Sequence, residues 1–559
     1  VNPDEYRVFK PLLDAYRPII QKTVAEKDIK LVYSGKKGQP TRQVDTDESE
    51  RNAPCLSDDE VLTLGRWAKA IEAHYGKAMD IEWARDGESR ELYIVQARPE
   101  TVQSQKAAQK LHTYKLTESG KQILEGLGVG SKIAAGKVFL MSDPEEGERF
   151  EPGGILVTEM TNPDWGPIMK RAGGIVTNSG GRTSHAAIVS RELGVPAVVG
   201  TDTATETLQD GQEVTVDCSS GESGRVYDGK LAYQEREIDT SDLPETKTQI
   251  MMILASPDAA FQWWNLPTRG VGLARMEFIV NNVIKIHPLA LTRFDQLEDD
   301  ELRQQIEQLT AGYEDKSEYF VDHLARGIAS IAAPSYPHKV IVRLSDFKTN
   351  EYADLIGGSA FEPAEANPML GFRGASRYYS DRYRDGFELE CRAIKRVREE
   401  MGLSNVVVMV PFCRTLAEAD RVLETMGRFG LARGAGDLNV YVMAEIPSNV
   451  VLAREFADRF DGFSIGTNDL TQLVLGVDRD SEQLQHLFDA RNEAVKQMVR
   501  DLIDRAHEKH STVGICGQAP SDHPDFGEFL VQAGIDTISV NPDSVVDIIH
   551  HVARAEQQQ

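Results

Sequence analysis

From about residue 249 to the C-terminus, short apolar segments of strand length alternate with amphipathic segments of helix length. This alternation restricts the fold of more than half the chain. The strand candidates are 251–255, 340–344, 406–410, 440–445, 462–466, 512–516 and 537–540, with helices over 387–401 and 416–429 among the segments between them. About 310 residues of strand–helix alternation predict a (β/α)8 barrel with insertions. An open, doubly wound sheet is the alternative.

In a barrel of this kind the C-terminal strand ends carry the chemistry. Here those ends are polar. Val340-Ile341-Val342 runs into Arg343, with Asp346 and Lys348 beyond; 440–444 ends in Glu445; 462–465 ends in Gly466-Thr467-Asn468-Asp469; 513–515 ends in Cys516-Gly517. Glu445 and Asp469, on successive strand ends beside Asn468, suit a hard divalent cation such as Mg²⁺, which takes carboxylate, water and substrate oxygens. Either residue alone equally suits a helix N-cap. Arg275, Arg343, Arg373 and Arg479 flank apolar segments, where guanidinium forks match carboxylate or phosphate; each taken singly reads as a surface ion pair. Cys516 reads as a buried, inert thiol or, beside the cation, as a proton donor to a substrate carbon.

Upstream, residues 1–102 end in two strand-like pieces, 79–84 and 92–98, with Asp86-Gly87-Glu88-Ser89 as turn material, which predicts a hairpin. Asp80 and Glu82 share one strand face, as do Gln96 and Arg98. Those groups suit Mg²⁺ and a polyphosphate, and equally an ordinary solvated face. Residues 103–124 are polar and helix-compatible and read as a connector. Residues 125–230 alternate strands (153–158, 174–177, 197–200, 213–217) with turns and form a compact α/β domain. Residues 232–248 are charged and read as a second linker, which lets the flanking domains move independently.

Inside 125–230 stands Gly180-Gly181-Arg182-Thr183-Ser184-His185, followed by an apolar stretch with helical spacing. This places His185 at or near a helix N-terminus, on a loop able to approach a ligand closely. Unpaired N–H groups and the positive helix end favour an anion there. Such an imidazole suits a nucleophile that accepts a phosphoryl group; taken alone, the histidine reads as one that packs on a capped helix.

The chain has 559 residues and a formal charge of −26, which disfavours nucleic acid and anionic membranes as partners. An anionic substrate then needs a local basic pocket. Five scattered cysteines point to a reducing compartment rather than a disulfide framework. No apolar run approaches the ~20 residues of a membrane span. Neither a signal peptide nor an initiator methionine precedes Val1, and the opening reads as that of a piece of something longer.

The run 180–187 resembles the phosphohistidine motif of the PEP-utilizing enzyme family. Asn367-Pro368-Met369-Leu370-Gly371-Phe372-Arg373-Gly374 and Ile465-Gly466-Thr467-Asn468-Asp469-Leu470-Thr471-Gln472 resemble its barrel motifs. The resemblance covers essentially the whole chain. It implies a multidomain α/β protein: a truncated C-terminal part of an ATP-grasp nucleotide-binding domain (1–102), a swivelling phosphohistidine domain (125–230), and a TIM barrel binding phosphoenolpyruvate or pyruvate (249–559). Residues 80–84 with 94–101 resemble the end of an ATP-grasp domain, which enzyme I of the sugar phosphotransferase system lacks. Residues 516–522, with Gln518 where other members carry glutamate, favour water as phosphoryl acceptor; a phosphate-dependent dikinase is the alternative, and a phosphocarrier or regulatory module without pyruvate turnover is another.

The implied reaction converts ATP, pyruvate and water to AMP, phosphoenolpyruvate and phosphate. His185 carries the phosphoryl group and Cys516 moves the proton at the methyl carbon. Glu445 and Asp469 hold Mg²⁺. Arg275, Arg343, Arg373, Gly466, Thr467, Asn468 and Arg479 bind substrate, and Asp80, Glu82, Gln96 and Arg98 lie at the nucleotide. The resemblance also implies a cytoplasmic homodimer formed through the barrel, and a regulatory kinase or phosphorylase acting on Thr183. The first, nucleotide-binding part of the ATP-grasp domain is missing from this sequence, so weak or no ATP binding is expected of the chain as it stands.

Overall fold

The computed structural model of the chain describes residues 3–36, 39–99, 110–130, 132–180, 184–219, 223–239, 243–478, 483–517 and 519–558. The chain divides into two units: Tyr6–Lys22 with Asp242–Gln559, and Val1–Glu5 with Thr23–Ser241.

In the first of these, eight strands close into a parallel barrel: Gln249–Leu254, Val271–Arg275, Val340–Arg343, Val406–Val410, Val440–Ala444, Gly462–Gly466, Thr512–Cys516 and Thr537–Val540. Closure comes from the last strand pairing with the first, Gln249 opposite Thr537, which excludes the open sheet. Each strand is buried on both faces, so it reads as an apolar run rather than an alternation. Ile253, Leu273, Ile341, Val407, Met409, Tyr441, Met443 and Cys516 form one buried cluster. Each fully buried large apolar side chain contributes about 1.5–3 kcal/mol.

The second strand is not among the sequence candidates; Gly270 and Gly272 interrupt its apolar run. The barrel needs them. A Cβ on Gly272 would lie 1.8 Å from the Ser539 hydroxyl, and Gly270 has φ +113° with its would-be Cβ 2.1 Å from the Lys339 carbonyl oxygen. The helix expected over 387–401 forms as Arg384–Lys395, extended by a π turn Arg396–Glu400, and that over 416–429 as Leu416–Arg428.

Residues Tyr6–Lys22, read above with the N-terminal nucleotide-binding part, pack with the barrel unit instead. The long helix Lys316–Ser335 receives them: Arg326 Nη1 donates to the Ile19 carbonyl and Ser330 Oγ to that of Ile20, both at 2.8 Å. Nothing local in 6–22 announces a partner some 300 residues downstream.

In the other unit, seven strands from Gln122–Val129 to Ser223–Asp228 close a smaller barrel. Residues alternate between two cores. Leu156, Ile175, Ala197 and Val199 pack with Ala186 and Ala187 of the helix His185–Leu193, while Ile155, Val157, Val176 and Val198 pack with Val214, Val216 and Val226. The expected linkers differ from what forms. Lys110–Leu116 is a strand, not helix-compatible connector, and it pairs antiparallel with Tyr233–Asp239 from the second linker, Tyr233 opposite Leu116. The Tyr114 hydroxyl donates to Glu235 at 2.6 Å across the ribbon. Within the two connections, Lys110–Leu116 and Tyr233–Asp239 therefore form one two-stranded ribbon. The hairpin forms as predicted, Met79–Arg85 against Leu92–Pro99.

Beside the large barrel, Arg377 is fully buried and forks onto Glu362 (Nη1–Oε1 2.8 Å, Nη2–Oε2 2.6 Å), while its Nε donates to the Phe372 carbonyl at 2.8 Å. Rings of Tyr352, Phe372 and Tyr383 surround the guanidinium. His287 lies 3.0 Å from the same carboxylate. Arg377→Met leaves Glu362 buried without its fork and is expected to destabilise the barrel by about 3–5 kcal/mol. A thermal scan should show the barrel transition moving down by several degrees, and an unchanged transition would contradict the assigned pairing.

Candidate active site

The C-terminal ends of the barrel strands open onto a cavity of about 490 Å³. Arg275 and Arg343 end the second and third strands and Cys516 ends the seventh; Glu445 follows the fifth and Asn468 and Asp469 the sixth, and all six line the cavity. Arg373 reaches it from the loop carrying the 367–374 motif. Gly466 and Gly517 line it too, and both are space-limited: a Cβ on Gly466 would lie 2.9 Å from a Glu445 oxygen, and one on Gly517 would lie 2.0 Å from Thr467 Oγ1. The buried Thr467 hydroxyl has no hydrogen-bond partner among the described residues.

Charge is layered in this cavity. Arg373, 2% exposed, forks onto Asp346 (Nε–Oδ1 3.0 Å, Nη2–Oδ2 2.6 Å), gives Nη1 to Asp469 at 3.2 Å, and lies 4.1 Å over the ring of Phe412. Arg343 donates to Glu277 at 2.8 Å and lies 3.3 Å from Asp346. Burial alone would pull both guanidiniums down. The carboxylates of Asp346, Glu277, Asp469 and Glu445 outweigh it and hold them well above their ordinary values. Glu445 is the opposite case. Burial first, then the charges of Asp469 and Asp346, push its carboxyl well above the usual carboxylate range, against the pull of Arg373 and Arg343. Its Oε1 accepts the Phe412 N–H at 2.7 Å. Phe412 is itself unusual, with φ +46° in a buried aromatic residue, so the N–H is aimed at Glu445 by a backbone form that L residues rarely adopt.

A site crowding carboxylates around a buried glutamate fits a cation. Among the described residues no group of three or more His, Cys, Asp or Glu side chains is placed to hold a metal ion, which leaves the carboxylates of Glu445 and Asp469 as the donor set. That donor set fits Mg²⁺, which commonly takes one or two carboxylates and completes its shell with water and substrate oxygens. Cys516 Sγ accepts the Ser464 hydroxyl at 3.1 Å. Burial pushes the thiol up to about 11; the Ser464 bond, Arg343 and Arg275 draw it down and Glu445 pushes it up. The group is therefore a neutral thiol at neutral pH.

The cavity thus gathers Arg275, Arg343, Arg373, Glu445, Gly466, Asn468, Asp469 and Cys516, with Thr467 packed directly behind Gly517. Arg479, Thr183 and Gln518 lie outside the described residues. The helix beginning at His185 is described in its backbone; it is preceded by Gly180 at φ +121°, and the Ser184 hydroxyl accepts the Ala187 N–H at 3.4 Å. In the hairpin, Asp80 stands opposite Arg98, with Arg98 Nε donating to it at 2.8 Å, and Glu82 stands opposite Gln96.

Glu277, Asn281 and Glu351 also line the cavity and were not picked out from the sequence. Glu277 accepts from both Arg343 Nη2 and the Asp346 N–H (2.7 Å). Its position two residues after Arg275, just beyond a strand end, was the available signal.

Residues 230–557 match the description "PEP-utilising enzyme, PEP-binding domain", residues 150–221 "PEP-utilising enzyme, mobile domain", and residues 1–118 "Pyruvate phosphate dikinase, AMP/ATP-binding domain". The chain belongs to the PEP-utilising enzyme family. It is 53% identical to phosphoenolpyruvate synthase of Synechocystis sp., over 100% of this chain and 69% of that protein. The enzyme of the same name from Aquifex aeolicus is 50% identical over 100% of this chain and 72% of its own length. That of Escherichia coli is 50% identical over 98% of this chain and 69% of its own length. The cavity lies wholly within the residues matched as the PEP-binding domain. Among the described residues no helix is long and apolar enough to cross a membrane.

Proposed function

We propose that the chain is the larger part of a phosphoenolpyruvate-forming enzyme that converts ATP, pyruvate and water to AMP, phosphoenolpyruvate and phosphate through phosphorylated His185. The observation that carries this reading is the cavity itself: arginines, a crowded carboxylate pair and a neutral thiol converge at the strand ends of a barrel matched as a PEP-binding domain.

Arg275 and Arg343 bind the carboxylate of pyruvate and the phosphoryl oxygens, with Asn468 donating beside them. Arg373, locked by Asp346, keeps Asp469 turned toward the cavity. Glu445 and Asp469 would hold Mg²⁺, which, when bound, stabilises negative charge developing on the substrate oxygen. Cys516 exchanges a proton with the methyl carbon. In the forward direction the Cys516 thiolate takes the methyl proton as the C–H bond breaks and becomes the neutral thiol, and the enolate oxygen then attacks the phosphorus of phospho-His185. A P–O bond forms and the P–N bond breaks, its electron pair going to the ring nitrogen; with the second ring nitrogen of phospho-His185 protonated, the imidazole leaves neutral. The reverse sequence ends with the Cys516 thiol protonating the methylene carbon, which suits its neutral state.

Asp80, Glu82, Gln96 and Arg98 are assigned to the nucleotide end of the reaction, supported by their shared exposed hairpin face and by the AMP/ATP-binding match. The protein acts in the cytoplasm, supported by five cysteines that are all unpaired. Dimerisation through the barrel and regulatory phosphorylation of Thr183 belong to the same reading; a phosphate two residues before His185 would repel an incoming polyphosphate. The experiment is direct: the chain incubated with phosphoenolpyruvate labelled in its phosphoryl group, plus Mg²⁺, gains a base-stable, acid-labile label. Folded chain that gains none contradicts the assignment.

A further inference from the structure

Behind the cavity lies a fully buried carboxyl that the chemistry above does not use. Glu390 projects from the helix Arg384–Lys395, and among the described residues no lysine or arginine stands within ion-pair distance of it. Burying a carboxyl without a cation is costly, and an apolar side chain of similar volume would be the cheaper occupant. What holds Glu390 is a set of hydrogen bonds directed at one residue. Ser345 donates its N–H to Oε2 at 3.2 Å and its hydroxyl to Oε1 at 2.5 Å, and the Tyr383 hydroxyl donates to Oε1 at 3.1 Å. The Tyr352 hydroxyl donates to Ser345 Oγ at 2.8 Å, and the Tyr378 hydroxyl donates to the Ser345 carbonyl at 2.7 Å. Every polar group of Ser345 is therefore held.

Ser345 stands just beyond the end of the third strand. Arg343 is two residues before it. Asp346, the next residue, takes the Arg373 fork and gives its N–H to Glu277. We infer that Glu390 is a positioning residue: through Ser345 it sets the strand-end loop 343–348 and so fixes Arg343 and the Asp346–Arg373 pair facing the cavity. The inference rests on reading that cavity as the pyruvate and phosphoenolpyruvate site.

The surroundings make the device sensitive to pH. Burial pushes the Glu390 carboxyl up to about 7; the bonds from Ser345 and Tyr383 draw it down, and the charge of Glu277 pushes it up. The other titratable groups facing it are Tyr352, Tyr378 and the adjacent Cys391, with Arg377 acting beyond Tyr352. Because the folded value lies above that of an ordinary carboxyl, ionised Glu390 weighs against folding as pH rises from the usual carboxylate range through about 7. The same ionisation gives Ser345 its charged acceptor.

The test uses the whole chain with Mg²⁺ and oxalate, a planar dianion with the shape of enolpyruvate that does not titrate near pH 7. Wild-type protein should bind oxalate more weakly as pH falls through about 7. Glu390→Gln should bind it about tenfold more weakly than wild type at pH 8, lose the step near 7 so that the pH dependence left is that of Glu445, and melt at the same or a higher temperature at pH 8, since a buried charge has gone. Ser345→Ala should weaken oxalate in the same direction, and it serves where Glu390→Gln does not fold. A folded Glu390→Gln with wild-type oxalate affinity and pH profile overturns the inference, as does a loss of affinity that only accompanies a lowered melting temperature. Wild-type protein that binds neither oxalate nor pyruvate instead contradicts the reading of the cavity and takes the inference with it.

Discussion

His185→Ala is expected to reduce phosphoryl labelling of the chain by phosphoenolpyruvate to background. The reasoning starts from the backbone. The helix His185–Leu193 begins at this residue, so its first N–H groups have no partner within the helix and its positive end favours an anion. On the proposed reading, a phosphoryl group on His185 sits at that positive end. Alanine is the best helix former and leaves Ala186 and Ala187 in the core beneath, so the fold should survive. Circular dichroism and thermal melting of the variant should match wild type. Label retained in a folded His185→Ala protein would place the phosphoryl acceptor elsewhere.

Cys516→Ala should lower pyruvate turnover by roughly 10²- to 10⁴-fold, the usual worth of a positioned proton donor or acceptor. The thiol ends the seventh strand, lines the cavity and is kept neutral by burial, so it holds a proton to give to the methylene carbon of phosphoenolpyruvate, and the thiolate left behind is the base that takes a proton from the pyruvate methyl group. Exchange of the pyruvate methyl protons with deuterated solvent should slow by the same factor. Oxalate binding should be nearly unchanged, because the arginines and carboxylates remain. In a chain extended by the first part of a nucleotide-binding domain, ATP-driven labelling of His185 should persist in this variant. Methyl-proton exchange at the wild-type rate would remove the assigned role and leave Cys516 as a packing residue.

Much of the large barrel was legible because parallel strands covered on both faces must be apolar along their whole length. Their polar ends then stand out, and Arg343, Glu445, Asp469 and Cys516 were found that way. Val271–Arg275 was hidden because close approach to Ser539 demands glycine inside a strand. The ribbon of Lys110–Leu116 with Tyr233–Asp239 was hidden for another reason: its partners are far apart in sequence, and each half alone is short, polar and charged. The same distance hid which carboxylate holds which arginine. Arg373 could be nominated for substrate, yet its fork onto Asp346 and its bond to Asp469 exist only in three dimensions. Glu390 left no local trace, since a single glutamate on an amphipathic helix looks solvated until the helix is seen to bury it.

The most direct test of a phosphoryl group passing between His185 and the barrel cavity is isotope exchange between pyruvate and phosphoenolpyruvate. It needs no nucleotide and so suits this chain. With Mg²⁺, carbon-labelled pyruvate and unlabelled phosphoenolpyruvate, label should move into phosphoenolpyruvate with the wild-type chain and not with His185→Ala. Folded wild-type chain that becomes phosphorylated yet never moves carbon label, or exchange that persists without His185, would contradict it.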